Sequence, residues 1–313
     1  MAIVRLGFIG FFFSFLCGSA SAQLHNDIER IAARAQARVV GVDCALPGMA
    51  LDCSFNAQAR LPMQSVYKLP IALTVLQQVD RGRLSLSQSL RFLPGDVISP
   101  GQHSPLRDAH PRGGVDVPLQ ELLRLAVEES DGVASDILLR VIGGPRVADE
   151  YIRSLGIEGI HIADTEKTIG RDAKAQFRNY AEPQALVALL RLIADRSPLS
   201  PANTRHLMEW MTNPPNGEHR IPGSLPQDTV IAHKTGTSGE DHGVTHATND
   251  IGLITLPCGQ RLAVAVLIED SPESEDAREG VIAEITRAIW AQAVTATSHA
   301  IGRDVSSCRP LHQ

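Results

Sequence analysis

The 313-residue sequence is poor in aromatic side chains, with eight Phe, three Tyr and two Trp making up 4% of it. Its lysines and arginines are scattered rather than clustered, and the formal net charge is −6. Stacking platforms and basic grooves are what nucleic-acid binding needs, so that class of partner is excluded. Long apolar runs are missing as well. The stretch from Leu6 to Cys17 falls short of the ~20 residues that cross a bilayer as a helix, and no later segment is apolar for that long, so no stable membrane association is expected. Cysteine is scarce, five in all, at spacings that match no zinc pattern. Neither a metal nor a cofactor is therefore expected, and there is no internal repeat.

What stands at the start is a single positive charge, Arg5, then the short apolar stretch, then Gly-Ser-Ala-Ser-Ala ending at Ala22. That order is a secretory signal peptide, with cleavage expected after Ala22 and residues 23–313 delivered to the periplasm as a monomer. Hydrophobic residues make up 43% of the chain, enough for a large core. Cleavage removes Cys17 and leaves four cysteines in an oxidising compartment. Cys44 and Cys53 flank Pro47-Gly48, and a turn between Gly48 and Met49 would set them opposite each other as a disulfide. Cys258 and Cys308 form a weaker candidate pair, and the connectivity stays open.

Residues 26–37 read as a helix, followed by strands over Arg38–Leu46 and Met49–Ala57. From Ser65 onward Val66, Leu69, Leu73, Leu76 and Val79 recur at helical spacing until Asp80-Arg81-Gly82. Pro70 is tolerable there because the first helical turn has few amide donors to satisfy. Pro94 to Gly114 reads as loop, and helices follow over 118–129 and 133–142, which leaves Ser130-Asp131-Gly132 in the break between them. His161 to Glu182 is polar and aperiodic, long for a plain connection and so a candidate functional loop. Helices over 183–194 and 201–211 precede three apolar β-rich runs, Thr229–Thr237, Asn249–Leu256 and Leu262–Glu269. A final helix over 275–292 faces Ile282, Ile285, Ile289 and Trp290 inward. Strands at both ends with helices between imply an α/β (α+β) fold. The expected architecture is a five-stranded antiparallel sheet built from residues 23–60 and 216–297, flanked by helices, plus an all-helical lobe over 61–215.

Ser65-Val66-Tyr67-Lys68 puts a hydroxyl and an amine three residues apart on one helix face, which suits a nucleophile with an adjacent base. Alone the pattern carries nothing, since ordinary composition yields about one chance match in a chain this long. Lys234-Thr235-Gly236-Thr237 ends a strand expectation with a cation and small hydroxyl residues, leaving room for a substrate backbone. Their joint order is informative: Ser-x-x-Lys, then Ser130-Asp131-Gly132, then Glu166 in the long loop, then Lys-Thr-Gly. This set resembles the class A serine β-lactamases, more closely a divergent extended-spectrum branch, and the resemblance spans nearly the whole mature chain.

The resemblance implies a β-lactamase/transpeptidase-like fold and hydrolysis of β-lactam antibiotics. It makes Ser65 the nucleophile, Lys68 its activator, Ser130 the proton donor to the departing nitrogen, and Glu166 the base for the hydrolytic water. Lys234, Thr235 and Thr237 would hold the substrate carboxylate with Gly236 between them, and the amides of Ser65 and Thr237 would form the oxyanion hole. Arg220 is a candidate second cation for that carboxylate, or else a surface loop arginine. Three positions depart from the family pattern. Gly132 and Gly170 stand where the family usually has Asn, and His103 replaces an aromatic residue at the site entrance. The two glycines imply a roomier pocket open to bulky oxyimino-cephalosporins.

The nearest alternative is a penicillin-binding D-Ala-D-Ala carboxypeptidase or transpeptidase, which shares the serine and lysine motifs but lacks the Glu166 base. A catalytically dead binding module would not retain every charged catalytic residue. A serine esterase would place Gly-x-Ser-x-Gly around the nucleophile, and Ser65 has no such surroundings.

Overall fold

The computed structural model describes residues 14–301. The expected leader falls largely on residues 1–13, which lie outside the described residues, as does Cys308. Helix α1 is Ser14–Ala32 and strand β1 is Val39–Ala45. The helical block follows as α2 Lys68–Asp80, α3 Leu119–Val127, α4 Gly132–Ile142, α5 Pro145–Ser154, α6 Pro183–Arg196 and α7 Pro201–Thr212. Strands β2 Ile231–Thr237, β3 Thr248–Thr255 and β4 Arg261–Glu269 then lead into α8, Glu275–Ile301. The α+β class and the antiparallel sheet built from both ends of the chain are as the sequence implies. Helix α5 forms in a stretch to which the sequence reading assigns no element.

The main sheet has the order β1-β4-β3-β2, antiparallel throughout. It therefore has four strands, not five. The segment after Met49 forms no ladder with β1, pairing its backbone through isolated bridges at Val42–Phe55 and, just past the end of β1, at Leu46–Met49. Asn56 ends that approach: its backbone turns left-handed at φ 49°, and its side-chain amide takes the Val40 carbonyl that a ladder partner would have bonded. The cysteine expectation holds, since Cys44 and Cys53 are joined by a disulfide.

Both faces of the sheet are covered, which is why its strands read as nearly continuous apolar runs. The period of two divides β4 between two cores. Ala263, Ala265 and Leu267 face the helical block, whereas Leu262, Val264, Val266 and Ile268 face α1 and α8. From α8 the second core receives Ile282, Ile285 and Ile289, with Trp290 partly buried at its margin. Helix α2 is apolar around most of its circumference and buried from Lys68 to Gln77, so it is a central helix and not a surface one. The turn just before α2 packs on β2, and α3 and α4 pack on α2.

Closing a short loop of chain, the Cys44–Cys53 bond should contribute about 2–3 kcal/mol by chain entropy. The double variant Cys44→Ala/Cys53→Ala is expected to fold with Tm lower by roughly 5–10 °C, read by thermal denaturation. Non-reducing peptide mapping that finds two free thiols in exported protein would reject the pairing.

Candidate active site

Ser65 lies in a 3₁₀ turn, Gln64–Tyr67, that runs directly into α2. Lys68 begins that helix, and its side chain is 2% exposed. Its ammonium has three hydrogens and finds three acceptors: Ser65 Oγ at 2.9 Å, the Ser130 carbonyl at 2.6 Å and Glu166 Oε1 at 2.9 Å. A buried charge persists only when paired and hydrogen-bonded in this way. Ser130 can serve Lys68 because its backbone is left-handed, at φ 57°. That conformation is costly for a residue with a Cβ and is characteristic of functional sites. It aims the Ser130 carbonyl at Lys68 while the Ser130 hydroxyl accepts from Lys234.

Asp131 fixes this turn. Its carboxylate caps α4 through the Ala134 amide at 2.8 Å and reaches across to the Ser104 hydroxyl and the Leu106 amide. Lys234, at the middle of β2, also donates to the Thr235 carbonyl at 3.2 Å. Burial, and then repulsion from Lys68, push the Lys234 ammonium down to about 7.

The loop bearing Glu166 is ordered by capping. A one-turn helix, Glu166–Ile169, is capped by Thr165, and its first amides are received by Asp136 of α4. Asp136 Oδ1 accepts from Glu166 N at 2.8 Å, and Oδ2 accepts from Lys167 N at 2.9 Å. Burial and the nearby Glu166 carboxylate push Asp136 up to about 7. At its neck the loop is closed by Asn179, which accepts from the amides of Ala163 and Asp164, and by an Asp164–Arg178 ion pair at 2.7 Å.

The edge strand β2 passes unusually close to the Ser65 turn. A Cβ on Gly236 would lie 2.4 Å from the Met63 carbonyl oxygen and 3.2 Å from the Ser65 nitrogen, so only glycine allows the approach. Asn249 on β3 ties the same junction by donating to the Pro62 and Met63 carbonyls at 2.8 and 3.1 Å. The resulting cleft, about 460 Å³, is lined by Ser65, Lys68, Gln102, Glu166, Gly170 and Thr237 among others.

Arg220 is not a surface loop residue. It is 4% exposed, paired with Glu279 at 2.8 Å, and it donates to Thr237 Oγ1 at 2.7 Å and to the Asn249 carbonyl. It thus lies directly behind Thr237. The Thr235 hydroxyl faces away from the cleft and donates to Asn216. His103 stands at the cleft's rim, exposed, with Nε2 donating to the Glu129 carbonyl at 2.8 Å.

The two glycines do not leave the room expected of them. A Cβ on Gly132 would be 2.6 Å from Ile98 Cδ1 and 3.3 Å from Glu166 Cγ, and one on Gly170 would be 2.1 Å from Gln102 Oε1. Neighbouring side chains fill both places. Asp136, Asn179, Asn249 and Gln102 were all missed from sequence. For Asp136 a signal existed, an acid set among Val133, Ala134, Ile137 and Leu138 on a buried helix face. Among the described residues no three His, Cys, Asp or Glu side chains are grouped so as to hold a metal ion.

A sheet whose Lys-Thr-Gly edge strand abuts a Ser-x-x-Lys turn, with an acid-bearing loop closing over both, is the arrangement of the class A serine β-lactamases. The model of the beta-lactamase enzyme family matches residues 23–293, and the chain belongs to that family. It is 36% identical to the extended-spectrum β-lactamase PER-1 of Pseudomonas aeruginosa over 279 residues, covering 89% of this chain and 90% of that one. With β-lactamase VEB-1 of the same organism it shares 33% identity, covering 92% and 96% of the two chains. Among solved structures, the TLA-1 extended-spectrum β-lactamase superposes with a TM-score of 0.83 at 37% identity, covering 88% of this chain and 99% of its own. A β-lactamase from Chitinophaga pinensis gives 0.80 at 38% identity, covering 87% and 99%.

Replacing Asp136 by Asn keeps its shape but turns an acceptor into a donor facing a backbone N–H. Asp136→Asn is expected to lower stability by about 1–3 kcal/mol, the cost of a buried unsatisfied donor, and to expose the 163–179 loop to proteolysis. Urea denaturation and limited proteolysis indistinguishable from wild type would show that Asp136 does not hold the loop.

Proposed function

We propose that the protein hydrolyses the amide bond of β-lactam antibiotics through an acyl-enzyme on Ser65, and so confers resistance on its host. The observation that carries this reading is the Glu166 carboxylate, 2.9 Å from Lys68 and on the wall of the same cleft as Ser65. A carboxylate there can free an acylated serine with water, which is what separates hydrolysis from transpeptidation.

In acylation Ser65 Oγ gives its proton to the Lys68–Glu166 pair and bonds to the lactam carbonyl carbon. The oxyanion lies between the amides of Ser65 and Thr237, which the glycine contact at Gly236 brings together. As the ring C–N bond breaks, Ser130 supplies a proton to the nitrogen and takes one from Lys234, its hydrogen-bond partner, and the proton drawn from Ser65 passes on from the Lys68–Glu166 pair to restore Lys234, which leaves Glu166 ionised again. Lys234 and Thr237 hold the substrate carboxylate, and Arg220 acts on it through Thr237 and its own positive charge. Glu166 then takes a proton from a water that attacks the ester, Ser65 recovers its hydrogen, and the ring-opened acid leaves. Names of relatives such as extended-spectrum PER-1 favour oxyimino-cephalosporins among the substrates, whereas the two glycines no longer do. Export with cleavage after Ala22 is supported by the Cys44–Cys53 disulfide and by a family match that begins at Gln23.

Glu166→Ala should still react with penicillin and with an oxyimino-cephalosporin, but stall as a full-mass adduct on Ser65, seen by intact-mass spectrometry with turnover lost. Ser65→Ala should form no adduct. Near-normal turnover in either variant would overturn the mechanism, and a wild-type enzyme that stalls in the same way would establish a transpeptidase.

The Lys234 shift gives a pH dependence of defined sign. Its folded-state value lies below that of an unfolded lysine, so its contribution to folding stability improves as pH rises from about 7 toward ~10.4. Activity runs the other way. Above about pH 7 the free enzyme loses the cation that receives the substrate carboxylate, so kcat/KM should fall through KM while kcat holds. A kcat/KM profile that is flat from pH 6 to 9 would contradict this.

A further inference from the structure

Gly170 has ordinary right-handed helical backbone angles, φ −69° and ψ −15°, so nothing in its conformation requires glycine. What excludes a side chain is the Gln102 carboxamide, whose Oε1 and Cδ would lie 2.1 and 2.6 Å from a Cβ at that position. The amide is aimed at the acid of the cleft. Gln102 Nε2 donates to the Glu166 carbonyl at 2.6 Å and to Glu166 Oε2 at 3.3 Å. Lys68 meanwhile holds the other carboxylate oxygen, Oε1. The two contacts together fix the carboxylate plane, with one oxygen on the ammonium and one on the amide.

Gln102 is itself held from behind. Its Oε1 accepts from the Ser99 backbone N–H at 3.2 Å, and its backbone N–H donates to the Ser99 carbonyl at 3.0 Å. Arg107 clamps that turn by donating to the Ser99 and Gln102 carbonyls at 2.6 and 2.7 Å. Arg107 is 9% exposed, so the clamp is buried. Orienting a base requires partners that are themselves fixed, and this chain of contacts reaches from a buried guanidinium to the Glu166 carboxylate.

We propose that Gln102 is a positioning residue for deacylation, delivering from the 99–104 loop an amide that orients Glu166 in the place left empty by Gly170. The inference rests on the acyl-enzyme reading above. Because the amide touches Glu166 and neither Ser65 nor Ser130, and Lys68 still holds Glu166 Oε1 without it, its loss should slow release of the acyl group and largely spare its formation. Positions 102 and 170 should also be coupled, since they compete for one volume.

The test uses the exported enzyme with a penicillin, following acylation by stopped flow and the acylated fraction by intact mass during turnover. Gln102→Ala should acylate within about threefold of wild type, while kcat falls tenfold or more and the acyl-enzyme accumulates. Gly170→Asn alone should do the same by displacing the Gln102 amide. In the Gln102→Ala background Gly170→Asn should instead recover most of the lost kcat, because an amide then enters freed space beside Glu166. A purely structural role for Gln102 would lower both steps together with Tm and would show no rescue, and that result overturns the proposal. So does a kcat for Gln102→Ala within twofold of wild type, or equal damage from Gly170→Asn in both backgrounds. A wild type that neither forms nor releases an adduct on Ser65 would instead sink the acyl-enzyme reading itself.

Discussion

A lysine ammonium buried beside a second buried lysine is the constraint around which the site is organised. Lys68 and Lys234 are each 2% exposed, and Ser130 is hydrogen-bonded to both. Two such charges in low dielectric would be untenable without compensation. Lys68 has a full shell of three acceptors, one of them an anion. Among the described residues Lys234 has a hydroxyl and a carbonyl as close partners, with Asp250 acting at longer range, and burial and then repulsion from Lys68 push its ammonium down. The asymmetry divides the two lysines by chemistry: one is held ready beside the nucleophile, and the other lacks an anion that a carboxylate substrate would supply.

Satisfying Lys68 fixes three separate segments at once. Its acceptors come from the turn before α2, the break between α3 and α4, and the loop at 163–179, so their relative placement is set by a single amine. Each segment is then stabilised from outside. Asn249 and the missing side chain of Gly236 seat the Ser65 turn on the sheet, Asp131 caps the helix behind Ser130, and Asp136 receives the amides of the Glu166 turn. Loss of any support would loosen a group on Lys68 without touching the reacting atoms, so activity in this fold depends on Asn249 and Asp136, which no catalytic motif contains, as well as on Asp131 and Gly236 within the motifs.

The parts legible in the sequence are those in which local spacing carries the information. Ser65 and Lys68 meet because they are three apart across the start of a helix, and β2, β3 and β4 are runs of residues buried on both faces. The order of motifs was enough to indicate which groups would converge. What stayed hidden depends on contacts between distant segments. Asn56 breaks a strand because its amide reaches Val40, Arg220 is buried because Glu279 of α8 comes to meet it, and Gln102 matters because of what faces it across the cleft. None of these has a signature within its own ten residues.

Gly132 and Gly170 show the limit most clearly, because the places their missing side chains leave are taken by side chains from elsewhere in the chain. An absent side chain was read as open space, yet interiors are packed to nearly crystalline density and vacated volume is taken by whatever can reach it. Ile98 occupies the one place and Gln102 the other, although neither is adjacent in sequence to the glycine it compensates. The occupants differ in kind. Ile98 brings only bulk, whereas Gln102 brings a donor and an acceptor and places the donor on the Glu166 carboxylate. A substitution that removes an amide from a loop can therefore leave the hydrogen bonding of the site intact, provided another loop is clamped firmly enough to deliver one. The buried Arg107 behind Ser99 and Gln102 is what makes that delivery rigid.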